Sequence, residues 1–150
     1  MPRLLAFAAA AALIAAPGAA GACETGPSDI YFEPGSARLT PRQRDEIRNQ
    51  AFILGILGEG ARIRLTAHSD TVGDGWENLR LSRRRADAVS AALVEAGVPA
   101  AQIDIVNRGE AILPVPTRDE RAERRNRVVT VAALKARQVR RENSVPGCHG

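Results

Sequence analysis

Between Ala61 and His68 apolar and polar residues alternate at every position, with Ala61, Ile63, Leu65 and Ala67 on one side and Arg62, Arg64, Thr66 and His68 on the other. A period of two over this length fits a strand with one face buried and one face wet. Beyond Ser69–Gly75, a stretch with two glycines and two aspartates that reads as a loop, the period changes. Ala86, Val89, Leu93 and Ala96 recur at spacings of three and four, which predicts a helix over about Trp76–Ala96 that Gly97 and Pro99 stop. A one-sided strand followed by a one-sided helix confines the chain to a layered fold in which the two apolar faces meet.

The remaining segments extend that pattern. Ser28–Glu33 carries Ile30, Tyr31 and Phe32, a strand-prone run closed by Pro34-Gly35. Thr40 at an N-cap, Pro41 at the first helical position and Gln43 three residues after the cap form a capping-box pattern. They predict a helix over about Pro41–Leu57 that buries Ile47, Ala51 and Leu54 and ends at Gly58 and Gly60. Ala101–Arg108 alternates again through Ile103 and Ile105, and a Gly- and Pro-containing connection runs on to Thr117. Arg118–Arg125 is charged and reads as a short helix or turn before a last strand with Val128, Val129 and Val131. The order predicts an α+β fold, a split βαβ sandwich with two main helices on one face of a mixed four-stranded sheet and the other face wet.

The ends point to export. Met1-Pro2-Arg3 is a short basic start, Leu4–Ala16 is an apolar run, and Ala20-Gly21-Ala22 is an A-x-A site, so 1–22 reads as a signal peptide. A spanning helix needs roughly 20 apolar residues, and Pro17-Gly18 breaks this run short of that, so no integral membrane segment is expected in the mature chain. Residues 23–135 then form one domain and 136–150 a basic tail with Arg137, Arg140 and Arg141. Cys23 and Cys148 make an even pair in an exported chain, which suits a disulfide joining the two ends. The other reading gives Cys23 a lipid, although Ala20-Gly21-Ala22-Cys23 lacks the usual leucine of a lipobox. The formal charge of +4 rests on arginine, Lys135 being the only lysine. With few aromatics for stacking on bases, nucleic acid is not an expected partner.

Chemistry concentrates where the second strand meets the second helix. Asp70 lies just past a strand end, where Gly73 lets the loop turn, and Asn78 and Arg85 are seven residues apart. Two turns separate them, about 10 Å along the axis, on one side of the helix. An anion, an amide and a guanidinium around one opening suit a zwitterion, with Asp70 taking an ammonium and Arg85 forking onto a carboxylate. The alternative is that Asp70 and Arg85 pair with each other.

The run Ala67-His68-Ser69-Asp70-Thr71-Val72-Gly73, then Asn78-Leu79-Arg80-Leu81-Ser82 and Arg83-Arg84-Arg85-Ala86, resembles the signature of the OmpA-like C-terminal domain family. That signature reads approximately G-H-T-D-x-x-G, then N-x-x-L-S-x-x-R-A. The resemblance runs from Tyr31-Phe32 through Gly35-Ser36-Ala37 and Leu39 to Gly109-Glu110, Pro114 and Asn126-Arg127. It implies the OmpA-like form of the split βαβ sandwich. It also implies non-catalytic binding of diaminopimelate in the stem peptide of peptidoglycan, in the periplasm or at the outer membrane. Carried over by position, Asp70 takes the ammonium, Arg85 the carboxylate, and Asn78 lines the site. Asn126 and Arg127 are second-tier contacts or structural residues.

Three positions depart from the pattern: Ala67 for glycine, Ser69 for threonine, which keeps a hydroxyl near the ligand, and Val128 for a second arginine. Loss of that arginine implies a weaker grip. A scaffold that keeps the fold but has a decayed pocket and binds an envelope protein partner is the alternative. His68 has no second histidine nearby and zinc normally needs three or four ligands, so neither a metal nor a cofactor is expected. Trp76 suits a helix-start anchor or a groove wall. Ser82 has no histidine close in sequence to activate it, and no enzyme is expected.

Overall fold

The computed structural model describes residues 27–57 and 60–135. The segments expected to be a signal peptide (1–22) and a basic tail (136–150), both cysteines with their alternative readings as a disulfide or a lipidated Cys23, Gly58 and the side chain of Leu54 lie outside the described residues.

Strand β1 (Ser28–Tyr31) leads through Pro34-Gly35 into helix α1 (Pro41–Leu57). The start of α1 is fixed by reciprocal bonds: Thr40 N donates to Gln43 Oε1 at 2.8 Å and Gln43 N to Thr40 Oγ1 at 3.3 Å. The same glutamine donates from Nε2 to Tyr31 O at 2.6 Å, so the cap also fastens α1 to β1. Ile47 is fully buried and Ala51 half-buried, as the helical spacing predicts.

Strand β2 (Arg62–His68), helix α2 (Gly75–Glu95) and strand β3 (Ile103–Gly109) form a parallel βαβ unit, and β4 (Val128–Leu134) closes the sheet. The strand order is β1-β4-β2-β3. Because β4 is antiparallel to both β1 and β2, those two run parallel with β4 between them, which is the split arrangement expected from the element order.

Register sorts the faces. Ala67 pairs with Val129 and Leu65 with Val131, so these side chains share one face and meet Ile47, Ala86, Val89 and Leu93 from the helices. Each large apolar side chain removed from water here contributes roughly 1.5–3 kcal/mol. The opposite face carries Arg62, Arg64 and Thr66, all half-buried, and Arg62 holds Asp104 of β3 through Nε at 2.8 Å and a second parallel bond.

Two boundaries differ from the sequence expectation. Ala96 is the C-cap of α2 and only half-buried, and Ala92 takes its place in the buried stripe. The short helix or turn expected over Arg118–Arg125 is a turn at Asp119 and Glu120 followed by a single 3₁₀ turn, Arg124–Asn126, which runs one residue further and which Glu123 caps by accepting from Arg125 N at 3.0 Å. His68, expected on the wet face, is buried because the chain after β3 folds back over the end of β2 and brings Ile112 O to 2.6 Å from its Nδ1. Burial lowers the His68 pKa and outweighs the opposing pull of that carbonyl.

Candidate functional site at the end of the second strand

The loop after β2 is built by a break in pairing. Ala67 opposes Asn107 but His68 opposes Gly109, which leaves Arg108 as an extra residue in β3 and turns the strand ends outward. Gly109 has φ +54, and a side chain there would meet Leu79 Cδ1 at 3.1 Å and Leu79 Cα at 3.3 Å, so only glycine suits the place. Its carbonyl accepts from Ser69 N at 2.9 Å. Thr71 Oγ1 donates to Arg118 O at 2.8 Å and accepts from Arg121 N at 3.1 Å, which clamps the loop to the segment before β4. Asp74 then caps α2, its Oδ1 accepting from Trp76 N at 2.9 Å and Glu77 N at 3.1 Å.

Asp70 is held between these anchors. Its Oδ2 accepts from Arg127 Nη1 at 2.9 Å, and Arg127 Nε donates to Phe32 O at 3.1 Å. Asp70 Oδ1 accepts no hydrogen bond among the described residues.

Arg85 has no exposed surface. Its Nε donates to Ser36 O at 2.9 Å and its Nη2 to Glu33 O at 3.0 Å, and the guanidinium stands over Phe32, 5.3 Å from the ring centre. Nη1 has no partner among the described residues. Burial pushes the Arg85 pKa down to about 10, with Arg127 and Arg84 acting in the same sense and Asp70 opposing them, so the group stays charged at neutral pH. One carboxylate therefore sits with two guanidiniums, an excess of positive charge in a largely dry place.

The expected opening shared by Asp70, Asn78 and Arg85 takes a different form. Asn78 and Arg85 do lie on one face of α2, but it is the buried face that also carries Ser82, Val89 and Leu93. Asp70 pairs with Arg127, and neither hydrogen bond of Arg85 goes to Asp70. Asn78 Nδ2 donates to Val72 O at 3.0 Å and to Glu110 Oε2 at 2.7 Å, bracing the loop against the residue after β3. Asn126 is fully buried and exchanges two 2.8 Å bonds with the backbone of Val115. Ser69 is also fully buried, with its hydroxyl unpartnered. Val128 is buried at the start of β4, opposite Tyr31.

Ser82 Oγ donates to Asn107 Oδ1 at 2.6 Å and lies 3.0 Å from Leu79 O, a bridge from α2 to β3. Sequence reasoning gave no role to Glu110 or Thr71; the Gly109-Glu110 pair was the available signal for the first. No helix among the described residues is long and apolar enough to cross a membrane.

The arrangement can be compared with known proteins. The model of the OmpA family matches residues 31–127, a span that contains the loop, the α2 face and Arg127. The chain belongs to the OmpA family. The OmpA-family chain is 34% identical over 108 residues to the outer-membrane lipoprotein YfiB of Pseudomonas aeruginosa, covering 71% of this chain and 64% of that protein. It is 38% identical over 101 residues to the peptidoglycan-associated lipoprotein of the same organism, covering 67% and 58%. The match thus spans less than two thirds of each of these relatives. Among solved structures, the peptidoglycan-associated lipoprotein from Burkholderia pseudomallei superposes with a TM-score of 0.64 at 25% identity, covering 71% of this chain and 89% of that one.

Proposed function

We propose that this OmpA-family domain binds peptidoglycan in the bacterial cell envelope, without catalysis, by gripping the zwitterionic end of diaminopimelate in the stem peptide. The observation that carries the reading is the unbalanced cluster at the end of β2. Asp70 keeps Oδ1 unpaired, and Arg85 keeps Nη1 unpaired with no exposed surface. An amino-acid centre supplies both missing partners: its ammonium donates to Asp70 and its carboxylate accepts from Arg85, converting an orphaned buried donor into a charge-assisted bond. Arg127 holds Asp70 in place, and Asn78 sets the loop through Val72 O. Relatives named as a peptidoglycan-associated lipoprotein and an outer-membrane lipoprotein support the same ligand and the same compartment.

Because Arg85 is covered, a ligand reaches Nη1 only by displacing the side chains around it, and binding on this reading includes a local rearrangement. The same burial favours a second reading, a scaffold whose sealed pocket no longer takes peptidoglycan and whose surface serves an envelope protein. Sedimentation with purified sacculi separates the two. The first reading expects the folded wild type in the pellet and Asp70→Asn and Arg85→Lys in the supernatant. Wild type and variants remaining together in the supernatant support the scaffold.

A further inference from the structure

Next to the Asp70 loop a groove of about 360 Å³ opens between the first turn of α2 and the end of β3 with the residues that follow it, lined by Gly75, Trp76, Leu79, Arg108, Glu110 and Ala111. Trp76 is 73% exposed, although an indole is among the costliest side chains to leave in water. Its backbone is fixed by the Asp74 cap, so the ring stands on a rigid mount. We propose that this groove is a saccharide subsite in which Trp76 stacks on one amino sugar of the peptidoglycan glycan strand. The inference rests on the peptidoglycan reading for the identity of its ligand.

Three features favour a sugar. A pyranose has an apolar C–H face and a rim of hydroxyl and acetamide groups, and the groove offers Trp76, Leu79 and Ala111 for the face with Arg108 and Glu110 for the rim. The rim is equipped with both signs of hydrogen bonding. The Arg108 side chain is exposed and makes no hydrogen bond or ion pair among the described residues, while Glu110 is held in position by Asn78 Nδ2 at 2.7 Å.

The wall is also shaped to fit. A side chain at Gly75 would stand 2.9 Å from Glu110 Oε1, so glycine lets the carboxylate lie against the helix start. The volume lies in the range of small-ligand sites, which begins at roughly 300 Å³.

Position makes the same case. Asn78 bonds both Glu110 in the groove and Val72 O in the Asp70 loop, so the two sites share a wall. In peptidoglycan the diaminopimelate is separated from the lactyl group of the sugar by only two stem residues, so the side chain held at Asp70 and the sugar belong to one short ligand, as the two sites belong to one wall.

Trp76 is the only tryptophan, so its emission reports the groove directly. The probe is glycan strands freed of stem peptides by an amidase, with cello-oligosaccharides, which lack acetamides, as control. The expected result is a saturable blue shift with the freed glycan, at lower concentration than with the control, whose sugars offer Trp76 the same C–H face without the acetamide. Trp76→Ala is expected to bind intact sacculi about tenfold more weakly but a diaminopimelate peptide as well as wild type, with Trp76→Phe recovering part of the loss. Unchanged emission with freed glycan, or sacculus binding insensitive to Trp76→Ala, overturns the proposal and leaves the exposed indole as a protein-docking residue. Failure of the stem-peptide reading shows separately, as wild type that shifts with freed glycan but does not bind the peptide.

Discussion

Arg127 and Asp70, 57 residues apart in sequence, meet in an ion pair of 2.9 Å in which each side chain keeps about a tenth of its surface exposed. The pair joins the end of β2 to the start of β4, and through Arg127 Nε it also ties in Phe32 after β1. Removing one partner leaves the other buried and uncompensated. Arg127→Met is expected to cost about 3–5 kcal/mol in urea unfolding. A loss below about 1 kcal/mol contradicts the pairing.

Gly109 is under two constraints, a positive φ and the approach of Leu79, whereas Gly35 has φ +64 with nothing within 4 Å of a built side chain. Gly35→Ala is expected to cost about 1 kcal/mol from backbone strain alone, and Gly109→Ala about 2–3 kcal/mol. Equal losses for the two variants contradict the close packing of β3 on α2.

Gln43 serves two elements, accepting from Thr40 N and donating to Tyr31 O. Gln43→Glu keeps the acceptor of the capping box but removes the donor, while Gln43→Ala removes both. The expected order of melting temperature is wild type, Glu, Ala, with about 1–2 kcal/mol between the extremes.

His68 gives the domain a pH-dependent stability. Its folded pKa is lowered, chiefly by burial, so the unfolded chain takes up its proton first as pH falls. The sign follows: the contribution is complete above the unfolded value of about 6.5 and is lost as pH falls through the folded value. Thermal unfolding between pH 7.5 and 5.5 is expected to show a falling midpoint in wild type and a flatter profile in His68→Gln. Parallel profiles contradict the assignment.

The fold was legible wherever one residue's neighbours in sequence are also its neighbours in space. Alternation from Ala61 to His68 marks β2, and Thr40 with Gln43 marks the start of α1. The site was legible only in part. Spacing correctly put Asn78 and Arg85 on one face of α2, but spacing does not say whether a polar face looks outward, and here it packs inward beside Ser82 and Val89. The Arg127–Asp70 pair and the Ile112 contact to His68 depend on how β4 and the connection after β3 return over the end of β2. No local pattern encodes contacts at that separation. Glu110 was missed for the same reason, since its bond is to Asn78, 32 residues earlier.

The most direct test of the central claim is calorimetric titration of the domain with two muropeptides that differ only at the third stem residue, diaminopimelate in one and lysine in the other. Lysine keeps the side-chain ammonium and lacks the side-chain carboxylate that Arg85 is proposed to receive. The expected result is binding of the diaminopimelate form at least tenfold tighter, with the difference abolished in Arg85→Lys. Equal affinity of the wild type for both forms, or binding to neither, contradicts a grip on the zwitterion.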